Sequence, residues 1–407
     1  MSQTSPKIVI VGGSFGGVNA AYALRRKLGR TADITVVAKD AAFTFVPSLP
    51  WVIMGWRDSN RLQVPLAEPL ARRGIRFVHG EVREVNSAKG EVRTALAQFP
   101  YDILIIASGG DLDYAAVSGL GPAGGHTHST FTVEEAVAAR EALARVLAAD
   151  GGRIVIGAAP GASCIGPAYE IVLMIDTVLR RARRRHQFRL AFVTPEPFIG
   201  HFGIGGVGMF PRLIQDEFAE RDIEMATSAR ICEARADRLV LADGSEWPFD
   251  FSLVIPAFSG VPFVRAVDGL ANPKGFITVT PQLRSAKFDN VYAVGVAVAI
   301  APVGPTPVPV AVPKTGHLTE QMAQAAAHNI VADLHGGTKV DGLTTLPGSC
   351  IADAGDTAYY FYADPFLPPR NKVVHKKGKW AHYLKLAFER FYLARIRHDW
   401  PSLHFGW

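Results

Sequence analysis

The chain opens with an unbroken apolar run, a cluster of small residues, and then apolar positions at helical spacing. The run KIVIV, Lys7 to Val11, predicts a buried strand, and GGSFGG after it predicts a turn. Apolar residues from Val18 to Leu28 recur about every 3.6 positions, which predicts a helix. A strand, a glycine turn and a helix in this order are typical of a dinucleotide-binding unit, whose helix N-terminus offers amide groups to a pyrophosphate.

Two positions depart from the usual glycine fingerprint of such a unit. Ser14 stands at the middle glycine position, where a small side chain still permits a phosphate to approach the backbone. At the end of the next apolar run, ADITVVAKD, Ala38 replaces the acid that usually binds ribose, and Lys39 and Asp40 follow it. Ribose recognition is therefore expected to differ here or to lie elsewhere.

A second strand, turn and helix of the same kind occurs at GGRIVIGAAPGASCIGPAYEIV. Its turn, Gly157 to Gly161, keeps small residues but loses the strict glycine spacing. Before it, residues 101–110 predict a buried strand that ends in small residues, and Glu134 to Ala149 predict a helix. Later runs predict a strand at FRLAFV, a hairpin and strand at DRLVLADGSEWPFDFSLVI, a strand at NVYAV, and a helix whose start is marked by Pro313.

Composition narrows the class of protein. A length of 407 residues allows two or three domains, and the chain lacks an apolar window long enough for a spanning helix. The first residues do not read as a secretory signal. The net charge of +6 suits an anionic partner, but no motif indicates nucleic acid. The three cysteines have no metal-ligand spacing, so a zinc site is not expected, and a redox pair with one bystander stays open.

Five long segments together are more specific than any glycine motif. They are FVPSLPWVIMGWR (45–57), GASCIGPAYE (161–170), TPEPFIGHFGIGG (194–206), AVGVAVAIAPVGPTPVPVAVPKTG (293–316) and CIADAGDTAYYFYADPFLPPR (350–370). Through these segments the chain resembles the sulfide:quinone oxidoreductases. That family belongs to the two-dinucleotide-binding-domain flavoproteins, which also include type II NADH dehydrogenases.

The resemblance implies FAD bound across the first domain. Its pyrophosphate is expected at the first turn. Lys314 and the helix start beside it are expected to offer positive potential to an anionic reduced flavin, and Lys314 as an ordinary surface lysine is the alternative. The implied contacts are Gly12, Ser14, Phe15, Gly16 and Gly17 at the pyrophosphate, Pro47, Ser48, Ala107, Ser108 and Gly109 near the cofactor, and Gly295 and Val296 at its ribityl and ring end.

The resemblance also assigns the redox pair to Cys164 and Cys350. It implies that hydrosulfide attacks a disulfide between them, that the Cys350 thiolate then attacks the flavin ring, and that reduced FAD passes electrons to quinone. Cys232 is expected to be a small core residue. Glu170 is the implied base, in the first turn of a helix starting at Pro167, and a carboxylate that merely favours the helix N-terminus is the alternative. His201 is expected either to line the sulfide or quinone side or to make a structural hydrogen bond.

One departure from the family affects product release. Many members carry a third cysteine in a segment similar to His-Ser-Ile-Cys-Thr, with a histidine four residues beyond it. Here the stretch HSTFTVEEA has Phe131 and Glu135 at those two positions. A relay through that extra thiol is therefore not expected, and an external acceptor is expected to remove the sulfur.

With this resemblance, the predicted fold is α/β, with two Rossmann-like domains, the second inserted in the first, and a C-terminal amphipathic membrane-attachment region. The expected boundaries are 1–115 for the first part of the FAD-binding domain, 116–265 for the second Rossmann-like domain, 266–335 for the rest of the FAD-binding domain, and 336–407 for the region with the second redox cysteine and the membrane attachment.

The C-terminal tail alternates basic and aromatic residues. From about 376 to 397, Trp380, Tyr383 and further apolar residues fall near one helical face while Lys385 and Glu389 fall elsewhere, which predicts an interfacial helix on a membrane surface. Packing on the protein itself or on a dimer mate is the alternative. The expected location is thus peripheral, or monotopic, on the cytoplasmic membrane, and the expected partners are sulfide, membrane quinone and lipid, with a second copy of the chain as a further candidate.

Two other functions compete with sulfide oxidation. A type II NADH:quinone oxidoreductase would need a nicotinamide site in the second domain, but GAAPGASC and FVTPEP lack the glycine fingerprint and the acid of such a site. A membrane-bound flavoprotein that senses sulfide would be reduced by it without passing electrons to quinone.

Overall fold

The computed structural model describes residues 5–401, and nine α-helices lie within that range. The tail segment's last six residues fall outside it. In chain order the helices are α1 (Phe15–Leu28), α2 (Leu49–Ile53), α3 (Ala67–Arg72), α4 (Val133–Ala148), α5 (Gly166–Arg181), α6 (Phe210–Glu220), α7 (Pro262–Arg265), α8 (Gly316–His335) and α9 (Lys379–His398).

The same range contains strands that form two parallel sheets and several small antiparallel ones. In chain order they are β1 (Lys7–Val11), β2 (Asp33–Ala38), β3 (Ala42–Thr44), β4 (Gln63–Pro65), β5 (Arg76–His79), β6 (Val82–Asn86), β7 (Glu91–Thr94), β8 (Gln98–Pro100), β9 (Ile103–Ile106), β10 (Asp111–Asp113), β11 (Gly152–Ala158), β12 (Phe188–Val193), β13 (Ile223–Ala226), β14 (Ile231–Arg235), β15 (Arg238–Leu241), β16 (Glu246–Pro248), β17 (Phe251–Ile255), β18 (Ala257–Ser259), β19 (Val291–Ala293), β20 (Gly348–Asp353), β21 (Ala358–Asp364) and β22 (Lys372–Gly378).

The first parallel sheet has the order β19-β9-β1-β2-β5. Its central strands are buried, because helices cover parallel sheets on both faces and select near-continuous apolar runs. Val9 of β1 pairs with Thr35 on one side and with Leu104 on the other. Strand β19 joins this sheet beside β9 although the whole second parallel sheet separates the two along the chain. The carboxyl ends of β1, β9 and β19 therefore meet at one edge, where nucleotides bind in such folds.

The second parallel sheet has the order β13-β12-β11-β17, and α5 packs on three of its strands. The predicted order of strand, turn and helix is present as β11 and α5. The predicted helix at 134–149 is α4, which begins with a capping box in which Thr132 Oγ1 accepts from the Glu135 N–H at 3.1 Å. The predicted hairpin is β15 and β16, which are antiparallel. The domain boundaries themselves stay predictions.

The C-terminal part of the chain forms a three-stranded antiparallel sheet, β20-β21-β22, which packs on α5 beside the second parallel sheet. Strand β20, which carries Cys350, contacts α5, α8 and α9. Strand β22 is an edge strand with three lysines, a composition that discourages pairing with another chain. The predicted tail helix is wrong at its start, since residues 376–378 belong to this strand and the helix begins at Lys379.

Helix α8 begins later than the sequence predicts. Its N-cap is Thr315, whose hydroxyl accepts from the Leu318 N–H at 3.3 Å, so Pro313 lies before the helix rather than at its first turn. No helix within residues 5–401 combines the length and apolar character needed to cross a bilayer.

Candidate active site

The turn between β1 and α1 is packed so tightly that three of its positions require glycine. Gly12 has a φ of +117°, and a Cβ on it would lie 2.2 Å from the Ala107 carbonyl oxygen. A Cβ on Gly16 would lie 2.9 Å from Val294, and one on Gly17 would meet the Gly12 carbonyl oxygen at 1.8 Å. Only glycine fits these positions, so β1, β9 and β19 are held close to the start of α1.

The N-terminus of α1 offers amide groups to an anion. Ser14 is the N-cap, but its hydroxyl makes no capping hydrogen bond, and the first turn of the helix has no acidic residue. Phe15, the first helical residue, packs edge-on against Phe43 at 5.0 Å between ring centroids. The first amides of α1 lack a side-chain cap from Ser14, which is the arrangement that phosphate-binding helix starts use.

Two loops, one after β3 and one after β9, carry the next predicted cofactor contacts. Ser48 is fully buried at the end of a short 3-10 turn that also contains Pro47, and its hydroxyl has no hydrogen-bond partner among the described residues. An orphaned buried hydroxyl is costly unless a bound group satisfies it. In the other loop, Gly109 has a φ of +76° after β9, next to Ser108.

The segment after β19 forms the next wall of the cleft. Gly295 has a φ of +71° and opens a 3-10 turn, where a Cβ would lie 2.7 Å from Thr319 of α8. Val296 follows it, 3.3 Å from the position of a Cβ on Gly110. Lys314 lies just before α8, with its ammonium 4.6 Å from the centroid of the Phe276 ring. Burial lowers the pKa of Lys314 to about 8, which does not fit an ordinary surface lysine.

Cys164 and Cys350 come together although they belong to distant segments. Cys164 lies in the loop before α5, Cys350 lies in β20, and both are free thiols of intermediate exposure. A Cβ on Gly166, the first residue of α5, would lie 3.9 Å from Cys350 Sγ. The Cys164 thiol is among the charges that act on Cys350. The structure therefore places both predicted redox cysteines at the N-terminal end of α5.

The protein environment disfavours both thiolates. Burial first, and then the charge of Glu170, raise the pKa of Cys164 to about 11. The same two causes raise the pKa of Cys350 to about 12, and Lys385 opposes that rise. Because a thiolate is the nucleophile and the leaving group in exchange, the charges around this pair control its reactivity.

Glu170 lies within reach of both thiols, but not where the sequence predicts it in the helix. Helix α5 begins at Gly166, so its first turn has no acidic residue and Glu170 falls in the second turn. The alternative role, favouring the helix N-terminus, therefore loses its basis. Glu170 Oε1 accepts from the Asp353 N–H at 2.9 Å and from Lys385 Nζ. Burial raises the pKa of Glu170 above its ordinary value, and Lys385 opposes this rise.

Sequence reasoning missed the residues that surround Glu170. Trp51 donates its Nε1–H to Asp353 Oδ2 at 2.7 Å, and Asp353 Oδ1 contacts His382 Nδ1 at 2.9 Å. The ring of Trp51 has the Lys385 ammonium 4.7 Å from its centroid and the Arg57 guanidinium at the same distance. Trp51 and Asp353 lie in two of the segments that carry the family resemblance, and this was the available signal.

The loop after β12 is held by a buried glutamate that the sequence did not single out. Glu196 is fully buried and accepts from Tyr169 Oη at 2.7 Å, from Thr194 Oγ1 at 2.8 Å and from the Phe202 N–H at 2.6 Å. Burial raises the pKa of Glu196 to about 7. Since Tyr169 adjoins Glu170 in α5, this carboxyl anchors the loop to the helix of the thiol site.

His201 belongs to that loop and is buried. Its Nδ1 accepts from the Gly203 N–H at 3.1 Å, and its ring packs edge-on against Phe198. Burial lowers the pKa of His201, so the neutral ring carries its proton on Nε2. These contacts are those of the structural alternative, and a role toward sulfide or quinone stays a prediction.

Phe131, Glu135 and Cys232, which the sequence also singled out, make contacts or occupy positions outside the thiol site. Phe131 packs edge-on against Phe258 at 5.1 Å, so an aromatic contact occupies the position where many family members have a third thiol. Glu135 closes the capping box of α4. The prediction for Cys232 is wrong in its location, because this cysteine is exposed on β14 rather than buried in the core.

Helix α9 buries three of its charged residues against the rest of the protein. Lys385, Glu389 and Arg395 are buried, and they pair with Glu170, Arg57 and Glu320. Trp380 and Tyr383 are instead exposed, at 44% and 65%. The helix thus both packs on its own protein and presents aromatic residues to the outside.

Known proteins are similar to this chain over most of its length. The model of the family described as pyridine nucleotide-disulphide oxidoreductase matches residues 6–185. Sulfide-quinone reductase from Aquifex aeolicus is 38% identical over 399 residues, which cover 96% of this chain and 91% of that protein. The X-ray structure of the sulfide:quinone oxidoreductase from the same bacterium has a TM-score of 0.91 at 37% identity, and the match covers 96% of this chain and 91% of that one.

The competing class of enzyme shares the fold over nearly the whole chain, since NDH2 from Plasmodium falciparum has a TM-score of 0.71 over 97% of it at 13% identity, but the sequence match to a curated member of that class is shorter. The type II NADH:quinone oxidoreductase NdhA of Mycobacterium tuberculosis is 33% identical over 114 residues, or 26% of this chain and 23% of that protein. The segment after α8, which carries Cys350 and Lys385, lies inside the long match to the Aquifex protein, because that match covers nearly the whole chain.

Proposed function

The chain belongs to the sulfide:quinone oxidoreductases, and from this membership we propose that Cys164 and Cys350 are the redox pair through which it oxidises sulfide to sulfane sulfur. It is an FAD-dependent oxidoreductase that takes electrons from sulfide and gives them to quinone. The observation that carries the assignment of the pair is the meeting of two distant cysteines at the start of α5, beside the buried Glu170.

The residues of the first cleft fit FAD. The glycines at 12, 16 and 17 let the turn pack against neighbouring backbone and side-chain atoms that any Cβ would overlap, and the start of α1 beside them lacks a side-chain cap, as phosphate-binding helix starts do. The unpartnered hydroxyl of Ser48 and the buried ammonium of Lys314 would then face a polar, anionic group. When bound, FAD supplies the two-electron chemistry that links the sulfur centre to quinone.

The chain's own residues would carry the sulfur step. Hydrosulfide attacks a disulfide between Cys164 and Cys350: one sulfur–sulfur bond forms to Cys164, the original bond breaks, and Cys350 leaves as a thiolate. The sulfide sulfur is oxidised to the sulfane level while the disulfide takes up two electrons. Glu170 accepts the proton of the new persulfide, because it is the buried carboxylate next to both sulfurs. With Phe131 where a third thiol would stand, the sulfane sulfur leaves to an external nucleophile.

Anaerobic titration of the purified holoenzyme tests this function. Sulfide is expected to bleach the oxidised flavin absorbance, and a short-chain ubiquinone added afterwards is expected to restore it. Bleaching by NADH but not by sulfide would favour the type II NADH dehydrogenase instead. Bleaching by sulfide without recovery on adding quinone would favour the sensor.

The same proposal includes attachment to the cytoplasmic membrane through residues 376–397. Trp380 and Tyr383 are exposed at the start of α9, and Lys376 and Lys379 next to them are exposed as well. Indole and phenol rings favour the bilayer interface, and lysines favour anionic headgroups. An insoluble quinone makes this location chemically reasonable.

Vesicle flotation with anionic phospholipid tests the attachment. Replacing both Trp380 and Tyr383 with alanine is expected to weaken the partitioning about tenfold or more, since each side chain contributes on the order of 1 kcal/mol when it leaves water. Leu96→Ala is the matched control, because Leu96 is a large apolar residue that is 96% exposed on another part of the surface. Equal flotation of the double variant and the wild type would argue against this part of the proposal.

A further inference from the structure

The C-terminal helix contributes a buried cation to the thiol site. Lys385 of α9 forms an ion pair with Glu170 of α5, and each side chain is only 6% exposed. We propose that Lys385 is a positioning residue for sulfide oxidation, which keeps Glu170 ionised and in place beside the two thiols. The proposal rests on the proposed roles of Cys164, Cys350 and Glu170.

The groups around Glu170 leave Lys385 as the cation in direct contact with it in the described part of the chain. From β20, the Asp353 N–H donates to Glu170, and the Asp353 carboxylate adds negative charge, which raises the pKa of Glu170. Cys164, in the loop before α5, and Cys350, in β20, contribute thiols that are neutral when protonated. From α9 comes Lys385, whose charge opposes the rise in pKa.

The other basic side chains near this cluster contact other acids. His382 contacts the carboxylate of Asp353, and the guanidinium of Arg57 binds Glu389 at 3.0 and 3.2 Å. Trp51 fixes the lysine further, because the Lys385 ammonium lies 4.7 Å from its ring centroid while its Nε1–H is bonded to Asp353. Helix α9 therefore holds the lysine against the glutamate through several contacts at once.

The position of Lys385 has a chemical consequence for the leaving thiolate. Glu170 disfavours the Cys350 thiolate, and Lys385 favours it. A carboxylate without a cation would hinder departure of Cys350, and a protonated carboxyl could not accept a proton. With Lys385 beside it, Glu170 remains a carboxylate while the Cys350 thiolate is destabilised less than it would be by Glu170 alone.

The test compares Lys385→Met with the wild type by alkylation, which does not depend on sulfide turnover. The holoenzyme is reduced with a phosphine, freed of it under anaerobic conditions, and treated with N-ethylmaleimide from pH 5 to 10, with Cys164 and Cys350 followed by mass spectrometry. The alkylation rate rises with pH because N-ethylmaleimide reacts with the thiolate. Over the pH range in which Glu170 ionises, its new charge raises both thiol pKa values, so the alkylation rate rises less steeply there. We expect the flattened region to lie about 1–3 pH units higher in Lys385→Met, because an opposite charge at contact shifts a carboxyl pKa by about that amount.

Three further variants separate this role from a loss of structure. The flattened region should vanish when Glu170→Gln is combined with Lys385→Met, and Lys385→Arg should return it toward the wild-type pH. Arg395→Met removes another buried cation of α9, paired with Glu320 at 2.9 Å, and should lower the melting temperature without moving the thiol profile. The proposal would be overturned if the alkylation rate of Lys385→Met depended on pH as that of the wild type does. It would also be overturned if the flattened region stayed at the higher pH when Glu170→Gln is combined with Lys385→Met. Failure of sulfide to bleach the wild-type flavin would count against the proposed function alone.

Discussion

Alanine in place of Cys350 or Cys164 will leave the flavin oxidised when sulfide is added anaerobically. Each substitution removes one sulfur of the disulfide that hydrosulfide must open, and the remaining thiol has no bond to exchange. We expect the rate of flavin bleaching by sulfide to fall by about 10³-fold or more in each variant, as happens when a covalent catalyst is removed. Stopped-flow absorbance at the oxidised flavin band measures this rate.

The third cysteine provides the matched control for these variants. Cys232 is exposed on β14, so Cys232→Ala should bleach at the wild-type rate. The double variant Cys164→Ala and Cys350→Ala should be no slower than either single variant, because the two sulfurs act as one unit. Normal bleaching in either single variant, with FAD retained, would refute the assignment of the pair.

Glu170→Gln is expected to slow bleaching by sulfide by about 10²-fold or more, because a positioned proton acceptor contributes about 10² to 10⁴. The same substitution should make the reduced thiols more reactive toward N-ethylmaleimide at a given pH. Glu170 raises the pKa of both thiols, so removing its charge lowers both values and increases the thiolate fraction. Turnover and thiol reactivity should therefore change in opposite directions.

This opposition distinguishes loss of the base from general damage. Glu217→Gln is the control, because Glu217 is also a buried glutamate with cationic partners, Arg221 and Lys377, and neither thiol is among them. It should leave both the bleaching rate and the alkylation profile near wild type. If Glu170→Gln lowered thiol reactivity and turnover together, a disturbed site would be the better explanation and the role of Glu170 as a base would fail.

Local pattern was sufficient for the elements that carry the cofactor cleft. The run at Lys7 to Val11 is β1 as predicted, and the helical spacing from Val18 to Leu28 matches buried positions of α1. These predictions succeed because strand and helix periods are properties of neighbouring residues. The glycines at 12, 16 and 17 were predictable from their spacing between a strand and a helix, although the atoms that exclude a Cβ at Gly12 and Gly16 belong to the distant Ala107 and Val294.

The tail shows where local pattern was insufficient. Ala381, Lys385, Glu389, Tyr392 and Ile396 form one helical stripe, and this stripe is buried. Two of its members are charged, so hydrophobic periodicity favoured the aromatic face as the one to bury or to place in lipid. These two charges are stabilised in the interior only because Lys385 pairs with Glu170 on α5 and Glu389 pairs with Arg57 near α2.

The sequence by itself determined the fold class, the glycine turns and, through long matching segments, the family with its FAD, while its assignment of the two redox cysteines stays a prediction. The tertiary structure decided that Lys385 faces Glu170, that Glu170 lies in the second turn of α5, and that Glu196 anchors the neighbouring loop. The physical reason is that periodicity and turn chemistry act between neighbours, whereas a buried charge is stabilised only by a partner that chain folding brings from a distant segment.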